Sequence, residues 1–379
     1  MASLCHLTNV HHPLDQRIFY KEALSLAAAG HQVTLIAPGD PALCGERFGV
    51  HLQTIPAPRS AVDRLLNLAR LLRAALSVKA DCYHFHDPEL LPVGALLRLF
   101  GRHVVYDVHE HFPQVALVRP WVPDRLRRPL AWLVDASERA VARWLSGVVG
   151  VVEAQGRRFR LRPFAAVKNY PRLEWFGGSA STAEYELVHI GSLSAERGGL
   201  LLLDILGELR ETHPDARLLS VGRFHGARVE AQFRETMAAY DLENHIELRT
   251  EPVPYEELGS WISRGRVGLI PGQVSAQNLA PFVPTKLFEY LACHLPVVAS
   301  DLPSLRRFHA SADWGFLVEP ADARKHARAV AHLLDDPALA RAKAAHGREM
   351  VEHCFNWAIE EQKLLAFYDQ ILPQKGDCR

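Results

Sequence analysis

The chain is 379 residues long, two domains or a little more at about 150 residues each, and its 48% apolar and 23% charged residues are an ordinary folded composition that excludes disorder. Lys plus Arg number 43 and Asp plus Glu number 43, so the net charge is zero, which argues against a nucleic-acid partner whose binding would draw on excess positive charge. Six scattered cysteines lack the close pairing of a zinc ribbon or redox pair and fit a reducing, cytoplasmic location.

In chain order, the first half alternates short apolar runs with amphipathic ones, the pattern of a parallel sheet with crossover helices. Strands are expected at Ser3 to Leu7, Gln32 to Ala37, Cys82 to Phe85, His103 to Asp107 and Val148 to Val152. Between the first two, Asp15 can cap a helix whose Phe19, Ala23 and Leu26 share one face, and Gly30 supplies a left-handed stop. Composition then turns loose, so a linker is expected over 169–182, between an amino-terminal domain of residues 1–168 and a second domain of residues 183–355. Further strands are expected at Leu187 to Ile190, Arg217 to Val221, His245 to Leu248, Val267 to Ile270 and Pro296 to Ala299, with helices between them. Two doubly wound α/β lobes follow. No run approaches the roughly 18 apolar residues of a spanning helix, and the amino terminus lacks the basic region of a secretion signal.

The zero net charge hides an asymmetry: residues 1–168 carry 21 Lys and Arg against 14 Asp and Glu, and the remainder 22 against 29. Arg125, Arg127, Arg128, Arg139 and Arg143 share the stretch Trp121 to Val149 with Trp121, Trp132 and Trp144, a composition suited either to docking on an anionic lipid surface or to an ordinary packed helix with solvated arginines.

In doubly wound sheets ligands bind at the carboxyl ends of strands, which directs attention to four polar segments. In the last of them Thr285 can cap a helix, Lys286 adds a full charge to an anion-attracting first turn, and Glu289 lies one turn in, where a carboxylate can accept hydrogen bonds from a ribose. A dipole-complementing Glu289 and a solvated Lys286 are the alternative. Arg197, a few residues after Gly191, can fork onto a diphosphate or stay at the surface. His84 and His86 point to one face of a strand with no third ligand at a metal-binding spacing, and His86 at the strand end either faces the ligand side or is an ordinary hydrogen-bonded histidine at a strand terminus. Asp-x-Asp, which holds a divalent ion on a diphosphate elsewhere, does not occur, so no metal or other cofactor is expected, and protein cations must carry the charge of a leaving diphosphate.

The segments His12–Phe19 with Glu22-Ala23, Tyr83–Pro88, Tyr106–Glu110, Ile190–Leu193 with Arg197-Gly198, and Lys286–Tyr290 with Pro296–Ser300 together make the chain resemble the retaining, nucleotide-sugar-dependent glycosyltransferases of the GT-B fold, in the family 4 group of bacterial envelope enzymes. The resemblance implies two Rossmann-like domains facing a cleft, an acceptor lobe followed by a donor lobe, and a carboxyl-terminal helix over 356–379 crossing back to the first domain. It implies a hexosyltransferase-like enzyme whose partners are a nucleotide-sugar donor and a glycan or lipid-linked acceptor. His86 resembles the histidine approaching the transferring sugar, with Lys286 and Arg197 as the cations on the diphosphate. On the donor side stand Gly191, Ser192, Leu287, Glu289 and Asn278, and on the acceptor side His12, Asp15, His109 and Glu110. Three departures stand out. Pro281 occupies the place of a glutamate usual eight residues before Glu289, Ser192 follows Gly191 where an arginine is common, and His11, His12 and Asp15 replace a glycine pair after the first strand. An epimerase or phosphorylase on the same fold, or a non-catalytic nucleotide-sugar-binding subunit, remains open, whereas a dehydrogenase is disfavoured because Thr8-Asn9-Val10-His11 carries no Gly-x-Gly-x-x-Gly.

Overall fold

The structure, a computed structural model, describes residues 1–109, 117, 122–159, 163–177, 183–275, 278–279 and 283–372. It forms two compact units, one of Met1–Asn169 with the segment that starts at Trp357, the other of Tyr170–Asn356.

The first unit is built on eight strands: β1 (Ser3–Leu7), β2 (Gln32–Pro38), β3 (Gly45–Arg47), β4 (Val50–Ile55), β5 (Cys82–Phe85), β6 (His103–Val108), β7 (Gly147–Gly150) and β8 (Phe164–Ala166). Their order is β3-β4-β2-β1-β5-β6-β7-β8, parallel except for the β3–β4 pair. The chain winds outward from β1 in one direction and then resumes beside β1 with β5, which places a switch point at their carboxyl ends, where open α/β sheets leave room for ligands. Alternation along the strands sorts the two faces. Cys5, Leu7, Tyr83, Phe85, Val104, Tyr106 and Val108 enter an apolar core with Leu71 and Ala75 of α2 (Ala61–Val78) and Leu91, Val93 and Leu97 of α3 (Leu91–Leu99). His6, His84, His86 and Asp107 alternate with these residues, and all four are fully buried.

The first crossover follows the expected helix, with one refinement. Asp15 Oδ1 accepts the backbone N–H groups of Arg17 and Ile18, at 2.8 and 3.0 Å, so it caps as anticipated. The stretch Ile18–Ala23 begins with wide i→i+5 bonds, Tyr20 to Asp15 and Glu22 to Arg17, before narrowing into α1 (Leu24–Ala28). Gly30 ends it at φ +87°. The expected strand from Val148 to Val152 instead stops at Gly150. Gln155 Oε1 captures the N–H groups of both Val151 and Val152, turning the chain into the next helix. The last helix of the chain, Trp357–Ile371, belongs to this unit: Trp357 Nε1 donates to Ser25 Oγ at 2.8 Å, and Glu360 accepts the N–H of Lys168.

The second unit repeats the plan with β9 (Tyr185–Ile190), β10 (Leu218–Val221), β11 (Ile246–Arg249), β12 (Gly265–Ile270), β13 (Val297–Ser300) and β14 (Gly315–Val318), in the all-parallel order β11-β10-β9-β12-β13-β14. Its switch point lies between β9 and β12. The helix at Leu201–Arg210 buries Leu202, Ile205, Leu206 and Leu209 at the expected i, i+3, i+4, i+7 spacing. Among the described residues no helix is long and apolar enough to cross a membrane.

Candidate functional site

In the second unit the polar residues gather where β9 and β12 diverge. The β9–β12 pairing extends only to Val188 and Gly268. Beyond it the phenol of Tyr290, on the helix Thr285–Ala292, fills the gap, accepting the N–H of Ile190 at 2.8 Å and donating to the carbonyl of Leu269 at 3.3 Å. That tether fixes the helix start beside the end of β9, where Gly191 turns the chain at φ +111°. A Cβ at Gly191 would stand 3.7 Å from Arg197 Nη1 and 3.8 Å from Lys286 Nζ, so two cations converge on bare backbone. Gly198 at φ +76° lets the Arg197 turn press against the carbonyl of Pro271, an approach that a side chain would block.

Lys286 Nζ also donates to Nε2 of the buried His189, 3.2 Å away. Burial and the neighbouring Arg197 bring the Lys286 amine down to about 7, against the pull of Glu289. Thr285 is not the cap expected of it. It is the first helical residue, Pro284 precedes it, and among the described residues no side-chain cap bonds to the helix start, which leaves first-turn N–H groups for an anion. Leu287 packs into the core and Glu289 is buried one turn further on, at 4% exposure. Ser192 follows Gly191 half-buried. Asn278 gives its amide N–H groups to the carbonyls of Glu196 and Gln273, at 2.6 and 2.8 Å, which makes it a brace between the Arg197 turn and the Gln273 loop. Pro281 lies outside the described residues.

In the first unit a second polar cluster occupies the carboxyl ends of β1, β5 and β6. Arg17 forks onto Asp107, Nε to Oδ2 at 2.9 Å and Nη2 to Oδ1 at 3.0 Å, and its Nη1 donates to the carbonyl of Val167. Asp107 Oδ2 stands 2.7 Å from His109 Nε2 and 3.2 Å from His86 Nδ1. His86 Nε2 in turn meets His6 Nδ1 at 3.0 Å. Burial draws the His86 imidazole down to about 4, although Asp107 pulls the other way. Asp107 stays ionised in spite of its burial because Arg17 and His109 favour its charge. Glu22 is the opposite case, since burial and the charge of Asp107 raise its carboxyl well above the usual range. Asp15 joins the rim through His11 Nδ1 at 3.2 Å, His12 is exposed, and Glu110 lies outside the described residues. His84 stacks on His86 with ring centroids 4.6 Å apart, while its Nδ1 engages the hydroxyl of Tyr368 at 2.8 Å.

Residues 16–169 match the family described as "Glycosyl transferase 4-like domain", and residues 184–336 match "Glycosyl transferases group 1". This chain belongs to the glycosyltransferases. The enzyme is 24% identical over 375 residues to a phosphatidyl-myo-inositol mannosyltransferase of Mycobacterium leprae, covering 91% of this chain and 90% of that protein. It is also 24% identical over 294 residues to a glycogen synthase of Mycobacterium tuberculosis, 74% of this chain but only 66% of the relative's length. Among solved structures it resembles the sucrose-phosphate synthase of Thermosynechococcus elongatus with a TM-score of 0.74, at 21% identity over 98% of this chain and 99% of that one. It also resembles Anabaena HepE in complex with UDP-glucose with a TM-score of 0.69, at 16% identity over 97% of this chain and 100% of that one. These likenesses establish the GT-B fold for the glycosyltransferase.

Among the members of its two polar clusters, Arg17, Glu22, His189 and His6 were given no role from sequence. Arg17 and Glu22, five residues apart, are brought together by the wide first turn, Nε to Oε1 at 2.9 Å, and His189 precedes Gly191 inside what reads as an apolar strand. The signal for each was a charged or imidazole group at a position that periodicity marks as buried.

Proposed function

We propose that this glycosyltransferase moves a hexosyl group from a nucleoside diphosphate sugar held by the second unit to a glycan or lipid-linked acceptor held by the first, with retention of anomeric configuration and no metal on the diphosphate. The observation that carries this reading is the convergence of Arg197 and Lys286 on Gly191 beside an uncapped helix start. Two cations and open N–H groups supply what a leaving diphosphate needs: charge stabilisation on the departing oxygen, already in place before the bond breaks. Glu289, one turn along the same helix, supplies the carboxylate for the ribose. The UDP-glucose complex of HepE, which shares the fold, supports a nucleotide-sugar donor, and retention is what the resemblance of the sequence motifs to the family 4 enzymes implies.

A lipid-linked acceptor is favoured by the outer surface of the helix Asp124–Ala142 and the residues after it, where Leu126, Trp132, Leu133 and Trp144 are exposed among Arg125, Arg128, Arg139 and Arg143. Trp121 lies outside the described residues. Apolar side chains ringed by arginine suit an anionic bilayer surface, and co-sedimentation with phosphatidylglycerol vesicles but not with phosphatidylcholine vesicles is the expected result.

The deciding experiment incubates the purified chain with a panel of nucleotide sugars, with and without EDTA, and follows nucleotide release and the anomeric configuration of the product. Release that persists in EDTA with a retained anomer is expected. Loss of release in EDTA would contradict a metal-free diphosphate site, and an epimerised donor without transfer would replace the transferase reading.

A further inference from the structure

Alternation along β9 sends Leu187 into the apolar core of the second unit. Two residues on, where the same period calls for another apolar side chain, stands His189, fully buried. An imidazole is costlier to bury than a leucine unless its nitrogens find partners, and here both do. Nδ1 lies 3.3 Å from Ser220 Oγ, its register neighbour on β10, and Nε2 lies 3.2 Å from Lys286 Nζ. Two strands and the helix Thr285–Ala292 thus meet in one line of polar atoms that ends on the Lys286 amine.

We propose that His189 is a positioning residue of the donor site, an uncharged acceptor that holds the Lys286 amine beside Gly191 so that an arriving diphosphate meets it in place. This role rests on the reading of the Gly191 turn as the diphosphate site. The amine sits at the end of a flexible aliphatic stem, and Arg197 converges on the same point, so repulsion between the two cations drives it away from Gly191 while no anion is bound. Three groups face it: Arg197 from the turn after β9 repels it, Glu289 from its own helix attracts it, and His189 alone of the three accepts its hydrogen without adding charge. A carboxylate in the place of His189 would grip the amine harder but would cancel one of the two positive charges that the diphosphate needs. A neutral ring fixes direction and leaves the charge free. An amine fixed in advance need not be ordered at the expense of binding.

The ordinary alternative is that His189 only fills the strand end and satisfies Ser220. Calorimetric titration with UDP and GDP at about pH 6, below the range in which Lys286 loses its proton, separates the two by reading position and not protonation. For whichever nucleotide wild type binds more tightly, His189→Leu, which continues the apolar strand, should weaken affinity about tenfold. His189→Gln, whose side-chain carbonyl can accept from the amine, should return to within about threefold of wild type. In a Lys286→Ala chain, which has no amine to place, His189→Leu should change affinity by less than about twofold. A urea midpoint for each variant records that it is folded. Equal weakening by His189→Leu with and without Lys286, a His189→Gln chain no better than His189→Leu, or a folded His189→Leu chain of wild-type affinity overturns the proposal. Wild-type binding that depends on Lys286 but not on His189 strikes this role alone, whereas a Lys286→Ala chain that binds as wild type does, or a wild type that binds neither nucleotide, strikes the diphosphate site and this role with it.

Discussion

Lys286 Nζ donates to His189 Nε2 at 3.2 Å, and this contact dictates the protons around it. An imidazole accepts only through an unprotonated nitrogen, so the His189 proton resides on Nδ1, which faces Ser220 Oγ at 3.3 Å. Burial and the charges of Lys286 and Arg197 hold His189 far below the usual imidazole range, so it remains a neutral acceptor. The same crowding is what brings Lys286 down to about 7.

Donor binding should therefore depend on pH in one direction. A bound diphosphate restores the Lys286 proton by opposing charge, so the liganded lysine has the higher pKa and binding takes up a proton wherever the free lysine has lost it. Below pH 7 the proton is already present and affinity is flat. Above pH 7 affinity falls, by up to about tenfold per pH unit, until the liganded lysine itself titrates. Calorimetric titration of UDP and GDP across this range checks the sign, and Lys286→Arg, with a charge that does not titrate here, should remove the slope. Equal slopes in wild type and Lys286→Arg would detach the lysine from the diphosphate.

Turnover should respond more steeply than binding. Removing one pre-placed donor from a developing oxyanion typically costs about 100-fold or more, so Lys286→Ala and Arg197→Ala should each lower kcat by that order. Because the two cations meet at one point beside Gly191, the double variant should lose less than the product of the single losses. Strict multiplicativity in the steady-state rates would mean that they act at separate places.

Glu289→Gln tests the ribose contact. A charged acceptor shared by two hydroxyls is worth about 1.5–3 kcal/mol, roughly 10- to 100-fold in affinity, so the variant should bind UDP that much more weakly. The 2′,3′-dideoxynucleotide, which lacks both hydroxyls, should bind wild type and variant alike. Equal weakening for both nucleotides would return Glu289 to a purely structural part.

For His86→Ala the expectation is a split. His86 lies between His6 and Asp107 in the first unit, so its loss disturbs the acceptor side while UDP affinity stays within about twofold. Transfer to acceptor should fall by about 100-fold. Loss of nucleotide binding in step with transfer would make His86 a residue that maintains the fold.

Much of this was legible in the sequence because parallel strands buried on both faces read as apolar runs, and β1 and β5 stand where those runs predict. The gathering of Arg197 and Lys286 beside Gly191 was equally readable, since Lys286 opens a helix and Arg197 follows a glycine turn. What escaped depends on register and reach. β4 alternates Val50 and Leu52 with His51 and Gln53 and then breaks phase at Ile55, a half-exposed pattern that resembles loop, and β3 and β8 are three residues each, too short to show a period. The Arg17, Asp107, His86 and His6 chain joins four separate elements, and no spacing along the chain reveals which strands are neighbours. Tyr290 was visible in its motif, but its task of closing the β9–β12 gap is a fact of the sheet alone.

That task makes Tyr290→Phe the most direct test of how the donor site is held open. The substitution keeps the ring, which packs across Gly268, and removes only the hydroxyl. Ile190 N–H then loses its acceptor and Leu269 C=O its donor, both at a buried strand end. An orphaned buried polar group costs about 1–3 kcal/mol, so the urea midpoint of the second unit should drop accordingly, with the slope unchanged. Freed of this tether, the helix carrying Lys286 and Glu289 can shift away from Gly191, and UDP should bind more weakly even where the protein is fully folded. Stability lost without any loss of UDP affinity would show that the helix is anchored by packing alone and that the hydroxyl merely satisfies the strand.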